Sequence, residues 1–84
     1  MYLMKVHVQL FAQLRDLTGV SDAVVDVAGG GTVSDVLAGL YRKFPALRAH
    51  DQAILVGVDV EFVDRSYKIK AAEEIAIMPP VQGG

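Results

Sequence analysis

The segment TVSDVLAGLYRKF, from Thr32 to Phe44, has the strongest helical repeat of apolar residues in the chain. Thr32 belongs to the residue types that cap helices, and Asp35 lies where a negative charge favours a helix N-terminus. Pro45 disfavours helical geometry at Phe44 and so ends the helix. One such helix covers only one face of a sheet, which limits the chain to folds with a partly open second face. The apolar stripe consists of Val33, Val36, Leu37, Leu40, Tyr41 and Phe44.

Most other apolar residues fall into short strand patterns. MKVHVQL, residues 4–10, alternates apolar and polar side chains, which is the period of a half-buried strand. Further strands are predicted in DAVVDV, AILVGVD, VEFVD and EIAIM, with a reversal near Asp59 between the middle two. The apolar face of the first strand consists of Met4, Val6, Val8 and Leu10.

The connecting segments are less regular. FAQLRDLTG spaces Phe11, Leu14 and Leu17 three residues apart before Gly19, which predicts a helix of about two turns. PALRAHDQ is interpreted as a loop and RSYKIKAAEE as an irregular crossing. Gly39 lies inside the long helix, where glycine costs ~1 kcal/mol relative to alanine, so packing must compensate.

The order of elements predicts an α+β fold, with the long helix packed on one face of a mixed sheet. The chain of 84 residues is long enough for one domain, and 52% apolar residues can form a small core. It contains no cysteine, so neither a disulfide nor a thiolate zinc site can stabilise it. The uncovered sheet face is a candidate interaction surface.

Charge and hydropathy exclude several classes of function. Ten acidic and eight basic residues give a net charge of −2, and the basic residues form no stripe, so no binding to nucleic acid is expected. The first residues are typical of a strand rather than a signal peptide, and no apolar run approaches membrane-spanning length. These features predict a soluble cytoplasmic domain with no membrane contact.

No metal site or internal catalytic pair is predicted. His7 and His50 are far apart and have no partner at metal-ligand spacing. Glu73 and Glu74 are adjacent, so on a strand they point to opposite faces and cannot act as a carboxylate pair.

The sequence ends in IAIMPPVQGG, a stiff segment succeeded by an unrestricted one. Pro79 and Pro80 have a restricted φ, so they stop the last strand and keep the start of the tail extended. Gly83 and Gly84 lack Cβ atoms, so they can enter a narrow channel and leave the last carbonyl carbon accessible. A glycine-rich terminus alone is more typical of an ordinary frayed chain end. The combination of paired prolines, glycines and a preceding strand favours a functional tail.

These motifs resemble the MoaD/ThiS superfamily of ubiquitin-like sulfur carriers, and within it the small subunits of molybdopterin synthase. The resemblance covers nearly the whole chain, through VQLFAQLRDLTG, TVSDVLAGL, ILVGVDVEFVD and EEIAIMPPVQGG, with PPVQGG the most specific part. The chain departs from the family pattern at three positions. A glycine is common in place of Ala72, an aromatic residue in place of Met78, and an asparagine in place of Asp59.

The resemblance implies a ubiquitin-like β-grasp domain over residues 1–78 and a flexible tail over residues 79–84. In this family an E1-like enzyme uses ATP to adenylate the C-terminal carboxylate, here that of Gly84. A persulfide sulfur then displaces AMP and leaves a thiocarboxylate. The carrier holds no cofactor of its own, and the sulfur is bound covalently at the chain end.

The family further implies a large synthase subunit as partner, in a heterotetramer of two small and two large subunits. The tail enters the large subunit's active site, where sulfur passes to cyclic pyranopterin monophosphate and catalytic groups are supplied by that subunit. The segment that enters consists of Pro79, Pro80, Val81, Gln82 and Gly83, ahead of Gly84.

Three residues of the folded part are candidates for the partner interface. Met78 precedes the prolines on the outward face of the last strand, and methionine adapts to irregular apolar surfaces. Arg15 lies in a segment that the family places near the partner, although a solvated helix charge fits it equally well. Phe62 fits either an apolar patch with Met78 or the core, and the pattern slightly favours the core.

Other functions remain open at this point. The same fold and tail could carry sulfur for thiamine or cysteine synthesis. Gly84 could also be joined to protein lysines, as in a ubiquitin-like modifier. An interaction domain with an inert tail is a further alternative, and it predicts that removal of Gly83 and Gly84 has no effect.

Overall fold

The computed structural model describes residues 2–70 and 73–80. It confirms the predicted order of strand, short helix, strand, long helix and three strands. The elements are β1 (Leu3–Leu10), α1 (Ala12–Thr18), β2 (Asp22–Ala28), α2 (Val33–Lys43), a 3₁₀ segment (Pro45–Ala53), β3 (Leu55–Val58), β4 (Glu61–Val63) and β5 (Glu74–Met78).

The five strands form one mixed sheet in the order β2-β1-β5-β3-β4. The last strand of the sequence is therefore the middle strand of the sheet. It pairs in parallel with β1, where Leu10 lies opposite Ile77, and antiparallel with β3, where Val56 lies opposite the same residue. The predicted mixed sheet is confirmed.

The core lies between one face of this sheet and α2. β1 alternates as predicted, with its four apolar residues buried and its polar residues exposed. From α2 the buried apolar side chains are Val33, Val36, Leu37, Leu40 and Tyr41, while Phe44 packs partly buried against the same cluster. Leu14 of α1 and Leu47 of the 3₁₀ segment join this core. The predicted α+β architecture, with the long helix on one face of the sheet, is confirmed.

The N-terminus of α2 is capped by side chains of its own first turn. The backbone N–H of Thr32 donates to the Asp35 carboxylate at 2.9 Å, as part of a capping box. Gly31, just before it, is packed so closely that an added Cβ would collide with Cγ1 of Val27. The GGGT segment therefore serves helix capping and packing.

Two local predictions were wrong. PALRAHDQ is a 3₁₀ segment rather than a loop, because Pro45 favours its first turn and Leu47 is anchored in the core. In α1 only Leu14 is buried, whereas Leu17 is exposed. Phe11 has extended backbone geometry and its N–H bonds to the carbonyl of Ile77, so it continues β1 instead of joining the helix stripe.

Gly39 has a packing role that explains a glycine inside α2. A Cβ placed on it would lie 2.5 Å from Cγ1 of Val25, on the neighbouring strand β2. The missing side chain allows α2 and β2 to approach closely. The expectation that packing compensates for the low helix propensity of Gly39 is therefore met.

We predict that Gly39→Ala lowers the free energy of unfolding, although alanine favours helices by ~1 kcal/mol. The added methyl group collides with Val25, and such overpacking costs ~1–3 kcal/mol. Urea unfolding of Gly39→Ala, of Val25→Ala and of the double variant measures the effect. The double variant should lose less than the sum of the two single variants. A more stable Gly39→Ala protein would show that Val25 can move aside at no cost.

Candidate functional site

The tail leaves the domain from the centre of the sheet. Ile77 is fully buried between β1 and β3, and its carbonyl accepts the N–H of Phe11 at 3.2 Å. Met78 and Pro79 are half-buried and Pro80 is exposed. Because β5 is paired on both sides, the point of departure is fixed by two neighbouring strands. The predicted tail residues Val81, Gln82, Gly83 and Gly84 lie outside the described residues.

The sheet face turned away from α2 is open around this point. One row of paired residues crosses it from Gln9 through Ala76 and Gly57 to Phe62. Ala76 and Gly57 are small, so the middle of the row is shallow. Phe62 projects from the end of this shallow row, with 68% of its surface exposed. The interpretation of Phe62 as a core residue is therefore wrong, because its register places it on the open face.

Met78 and Phe62 lie together on this face. They line one depression of about 200 Å³, with Val60 at the tip of the hairpin between β3 and β4. Val60 is 99% exposed, and Leu55 is paired opposite Met78. We call the apolar group next to the tail the exit patch: Leu55, Val60, Phe62, Ala76 and Met78. Exposed apolar side chains grouped in this way are typical of protein interaction sites.

Acidic residues border the exit patch. Asp59 and Glu61 line the same depression, and Glu74 lines the adjoining groove of about 480 Å³. Asp59 has a left-handed backbone with φ of 58°, which aspartate tolerates in a tight hairpin turn. We call these three residues the acidic rim. A surface that complements the exit patch must therefore be apolar at its centre and basic at its edge.

Glu73 has a structural role next to this groove. Its carboxylate accepts hydrogen bonds from the Tyr67 hydroxyl and the Lys70 backbone N–H, both at 2.8 Å. The bond from Tyr67 raises the pKa of that phenol above its ordinary value. Glu73 thus fastens the crossing that leads into β5 and is not paired with Glu74, as the sequence predicted.

Arg15 lies apart from the exit patch. Its side chain is exposed on α1 and lines a separate depression with Phe11 and Asp22, on the β1–β2 side. The structure therefore brings together Met78 and Phe62, but not Arg15. The assignment of Arg15 to a partner interface stays a prediction.

A second surface meets the tail base from the other side. Pro79 and Pro80 line a cleft of about 150 Å³ between α1 and the end of the 3₁₀ segment. We call it the tail-base cleft. Its other lining residues are Gln13, Leu14, His50, Ala53 and Ile54. No role was assigned to His50 from the sequence, since its spacing spoke against a metal site, so its position in this cleft was missed.

The 3₁₀ side of the cleft is held by a cluster around Asp51. The Tyr41 hydroxyl donates to the Asp51 carboxylate, and Nη1 of Arg65 donates to the same oxygen at 2.9 Å. Nη2 of Arg65 also donates to the carbonyls of Asp51 and Ile54, at 2.7 and 3.1 Å. The Arg48 guanidinium lies over the Tyr41 ring, 5.7 Å from its centre. One arginine thereby fixes both ends of residues 51–54.

Two pKa values reflect this cluster. The hydrogen bonds from Tyr41 and then Arg65 hold the pKa of the Asp51 carboxyl below its ordinary value. Burial, and after it the hydrogen bond to Asp51, raises the pKa of the Tyr41 phenol well above its usual range. Asp51 is therefore ionised and Tyr41 protonated at neutral pH, which favours the observed bonding.

The described residues form two surfaces suited to binding at the base of the tail. In residues 2–70 and 73–80, no three acidic or histidine side chains lie close enough to hold a metal ion. No helix within these ranges has the length and apolar character needed to cross a bilayer. The geometry provides a fixed exit point for the tail, an apolar patch on one side and a cleft on the other.

A mixed five-stranded sheet with one long helix and a chain exit from its central strand defines a ubiquitin-like β-grasp protein. The crystal structure of small archaeal modifier protein 1 from Haloferax volcanii matches with a TM-score of 0.85 and 33% identity, covering 95% of this chain and 99% of that chain. The predicted β-grasp fold is thereby confirmed.

The chain belongs to the ThiS family, whose model matches residues 8–84. The molybdopterin synthase sulfur carrier subunit of Arabidopsis thaliana is 34% identical over 80 residues, covering 95% of this chain and 83% of that protein. A chain of the complex of subunits 1 and 2 of the molybdopterin-converting factor from Helicobacter pylori has a similar fold. The match to that complex has a TM-score of 0.67 and 18% identity, over 96% of this chain and 100% of that one, and supports the fold alone. The family resemblance inferred from the motifs is confirmed.

We predict that Asp51→Asn destabilises the protein at neutral pH and has little effect in acid. The pKa of Asp51 is lowered by folding, so its charge stabilises the fold above the ordinary carboxyl value of 3.8. That contribution is lost as the pH falls through the lower pKa of the folded state. At pH 7 the variant should lose about 1 kcal/mol, because the pair is partly exposed.

Urea unfolding of wild type and variant between pH 7 and pH 2.5 measures this difference. The exposed residue Asp16 provides the matched control, as Asp16→Asn. If Asp51→Asn loses the same free energy at every pH, the side chain acts through its shape and not through its charge.

Proposed function

We propose that this chain is the small subunit of a molybdopterin synthase and carries sulfur on the carboxyl group of Gly84. The main support is the ThiS-family match, which extends through Gly84. The geometry agrees, because the described chain leaves the central strand at Pro79 and Pro80 beside an exposed apolar patch. The identity to the Arabidopsis thaliana sulfur carrier subunit over most of the chain adds to this support.

The first step is activation of an unreactive carboxylate. An oxygen of the Gly84 carboxylate attacks the α-phosphorus of ATP, and the bond to pyrophosphate breaks to give a glycyl adenylate. An E1-like enzyme catalyses this step, and the carrier supplies only the carboxylate. The absence of a Cβ on Gly84 keeps the carbonyl carbon open to the next nucleophile.

Sulfur then replaces AMP. The outer sulfur of a protein persulfide attacks the carbonyl carbon of Gly84, and the C–O bond to AMP breaks. A thiol, acting as reductant, cleaves the resulting S–S bond, forms a disulfide and releases the thiocarboxylate. Since the chain contains no cysteine, the sulfur is carried on the backbone terminus and not on a side chain. Because these steps need ATP and reduced thiols, we place them in the cytoplasm.

The thiocarboxylate then reacts in the large subunit. Pro79, Pro80, Val81, Gln82 and Gly83 form the arm that carries it into that active site, and the exit patch docks against the large subunit's surface. There the sulfur passes to cyclic pyranopterin monophosphate, and two such transfers form the dithiolene of molybdopterin. Two small and two large subunits assemble as a heterotetramer, so each tail has its own active site.

The likeness to small archaeal modifier protein 1 favours a second candidate function. That protein is 33% identical to this chain over 88 residues, and its name describes it as a modifier. In this alternative the adenylated Gly84 is attacked by a lysine amine, and an isopeptide bond forms with loss of AMP. Both functions share the activation step, so they differ only in the nucleophile.

We predict that the protein gains the mass of one oxygen-to-sulfur exchange when incubated with its activating enzyme, ATP and a persulfide donor. The reason is that sulfur replaces one carboxylate oxygen of Gly84. Intact-mass spectrometry, with fragmentation to locate the change, measures it. A sample without ATP and a variant lacking Gly83 and Gly84 are the controls, and neither should gain mass.

The product distinguishes the candidate functions. Consumption of the thiocarboxylate by a large subunit and pterin precursor supports the synthase, whereas Gly84 linked to lysine in cell extracts supports the modifier. An unchanged mass with an activating system that works on another carrier would refute the sulfur carrier. If Gly84 is also found unlinked to lysine in cell extracts, both functions are refuted and an interaction domain with an inert tail remains.

We further predict that Phe62→Ser weakens docking to the large subunit by roughly 10- to 30-fold in Kd, because it removes the most exposed aromatic side chain of the exit patch. The free energy of unfolding should change by less than ~0.5 kcal/mol, since Phe62 is outside the core. Titration calorimetry and urea unfolding measure the two quantities.

Leu3→Ser is the matched control for this experiment. Leu3 is 61% exposed on the same sheet face, but it lies on β1 opposite Ala28, away from the exit patch. Its substitution should leave the Kd unchanged. Equal effects of both substitutions would mean that docking responds to general surface hydrophobicity and not to the exit patch.

A further inference from the structure

The tail-base cleft lies on the opposite side of the exit from the exit patch, so it is separate from the docking surface described above. Leu14 and Ile54 form buried parts of its lining, while Gln13 is exposed and His50 half-buried. Pro79 and Pro80 belong to the same lining. The two prolines are therefore bordered by side chains where they leave the domain.

The α1 wall of the cleft is a short helix whose C-terminal end is secured by hydrogen bonds. Gly19 ends it in a left-handed conformation, and its N–H donates to the carbonyl of Arg15 at 2.8 Å. The Thr18 hydroxyl donates to the carbonyl of Leu14 at 3.1 Å. Leu14 itself is anchored in the core. Gln13, the residue before it, is thereby presented at a fixed position.

The 3₁₀ wall is secured from behind by Arg65. This side chain holds the carboxylate and carbonyl of Asp51 and the carbonyl of Ile54, on both sides of Ala53. The N–H of Ile54 also donates to the Asp51 carbonyl at 3.3 Å. His50 directly precedes this clamped stretch. No residue of the clamp belongs to the exit patch or the acidic rim.

The orientation of Pro79 and Pro80 affects where the end of the tail lies. Paired prolines hold an extended rod, so a small tilt at Pro79 is passed on as far as Pro80 and shifts the mean direction of the residues beyond it. At ~3.3 Å per extended residue, Gly84 can lie ~13 Å beyond Pro80, and a tilt of roughly 10° moves it by about 2 Å. A displacement of ~1 Å of a reacting group can cost ~10²-fold in rate.

We propose that the tail-base cleft is a guide for the tail, in which Gln13 and His50 are positioning residues that set the direction of Pro79 and Pro80. The Arg65 clamp on Asp51 and Ile54 keeps one wall of this guide in place. The guide limits the directions open to Gly84, so that the bound tail holds its carboxylate closer to the reacting geometry. This inference rests on the proposed function only where it concerns rate.

The geometry of the guide can be tested on the isolated protein, without any sulfur chemistry. Because the chain has no cysteine, Gln82→Cys and Arg42→Cys give two unique sites for spin labels. Pulsed dipolar spectroscopy then reports the distribution of distances between the tail and α2. We expect this distribution to broaden when Gln13 and His50 are both replaced by alanine.

Gln52→Ala is the matched control, since Gln52 lies on the same 3₁₀ segment, is exposed and does not line the tail-base cleft. Its distribution should equal that of the labelled parent. Arg65→Gln is a second route to the same effect, because it loosens the wall from behind and should also broaden the distribution. An unchanged distribution in the Gln13→Ala, His50→Ala protein would overturn the guide.

The effect on rate is measured with the activating enzyme, as kcat and KM for adenylation of the unlabelled proteins. The Gln13→Ala, His50→Ala protein should lose up to ~10²-fold in kcat with an unchanged KM, because the exit patch is intact. A higher KM at an unchanged kcat, or kinetics equal to wild type, would overturn the positioning role. Failure of wild type itself to be adenylated would instead refute the proposed function, and the label distances would still decide the guide.

Discussion

The central position of β5 is the constraint on which the rest of the molecule depends. Ile77 is buried between Leu10 of β1 and Val56 of β3, so the last strand closes the sheet and completes the core. The same strand carries the chain out of the domain at Pro79. Stability and function are therefore linked through one strand, and any force on the tail acts on a strand that is paired on both sides.

The two faces of the sheet have different roles, one in stability and the other in docking. Burial of apolar side chains is concentrated on the α2 face, where it provides most of the stability. The open face carries Gly57 and Ala76 in its middle, and these small residues leave Phe62 exposed and Met78 half-buried. Apolar surface that does not contribute to folding is thus available for docking, and the acidic rim limits which surfaces fit it.

The sequence predicted the fold well because its signals were local and periodic, as in β1 and in α2 with its Thr32 cap. It failed where the deciding contact was distant in sequence. Phe62 is exposed because of its pairing with Gly57, and residues 45–53 are ordered by the bonds from Arg65 to Asp51. The tail-base cleft was missed for the same reason, since helix α1, the 3₁₀ segment and Pro79 meet only in three dimensions.

On the proposed function, one exit patch beside one tail must serve two successive partners, the activating enzyme and the large subunit. Both need Gly84 in their active sites, so their binding is mutually exclusive. Very tight docking to either would block the exchange, because release of a complex slows as affinity rises. A small patch of Val60, Phe62 and Met78 with an acidic rim suits this requirement, since long-range charge speeds encounter while the limited apolar contact permits release. Accurate placement of Gly84 must then come from the tail-base cleft, which is part of the carrier and is therefore present in both complexes.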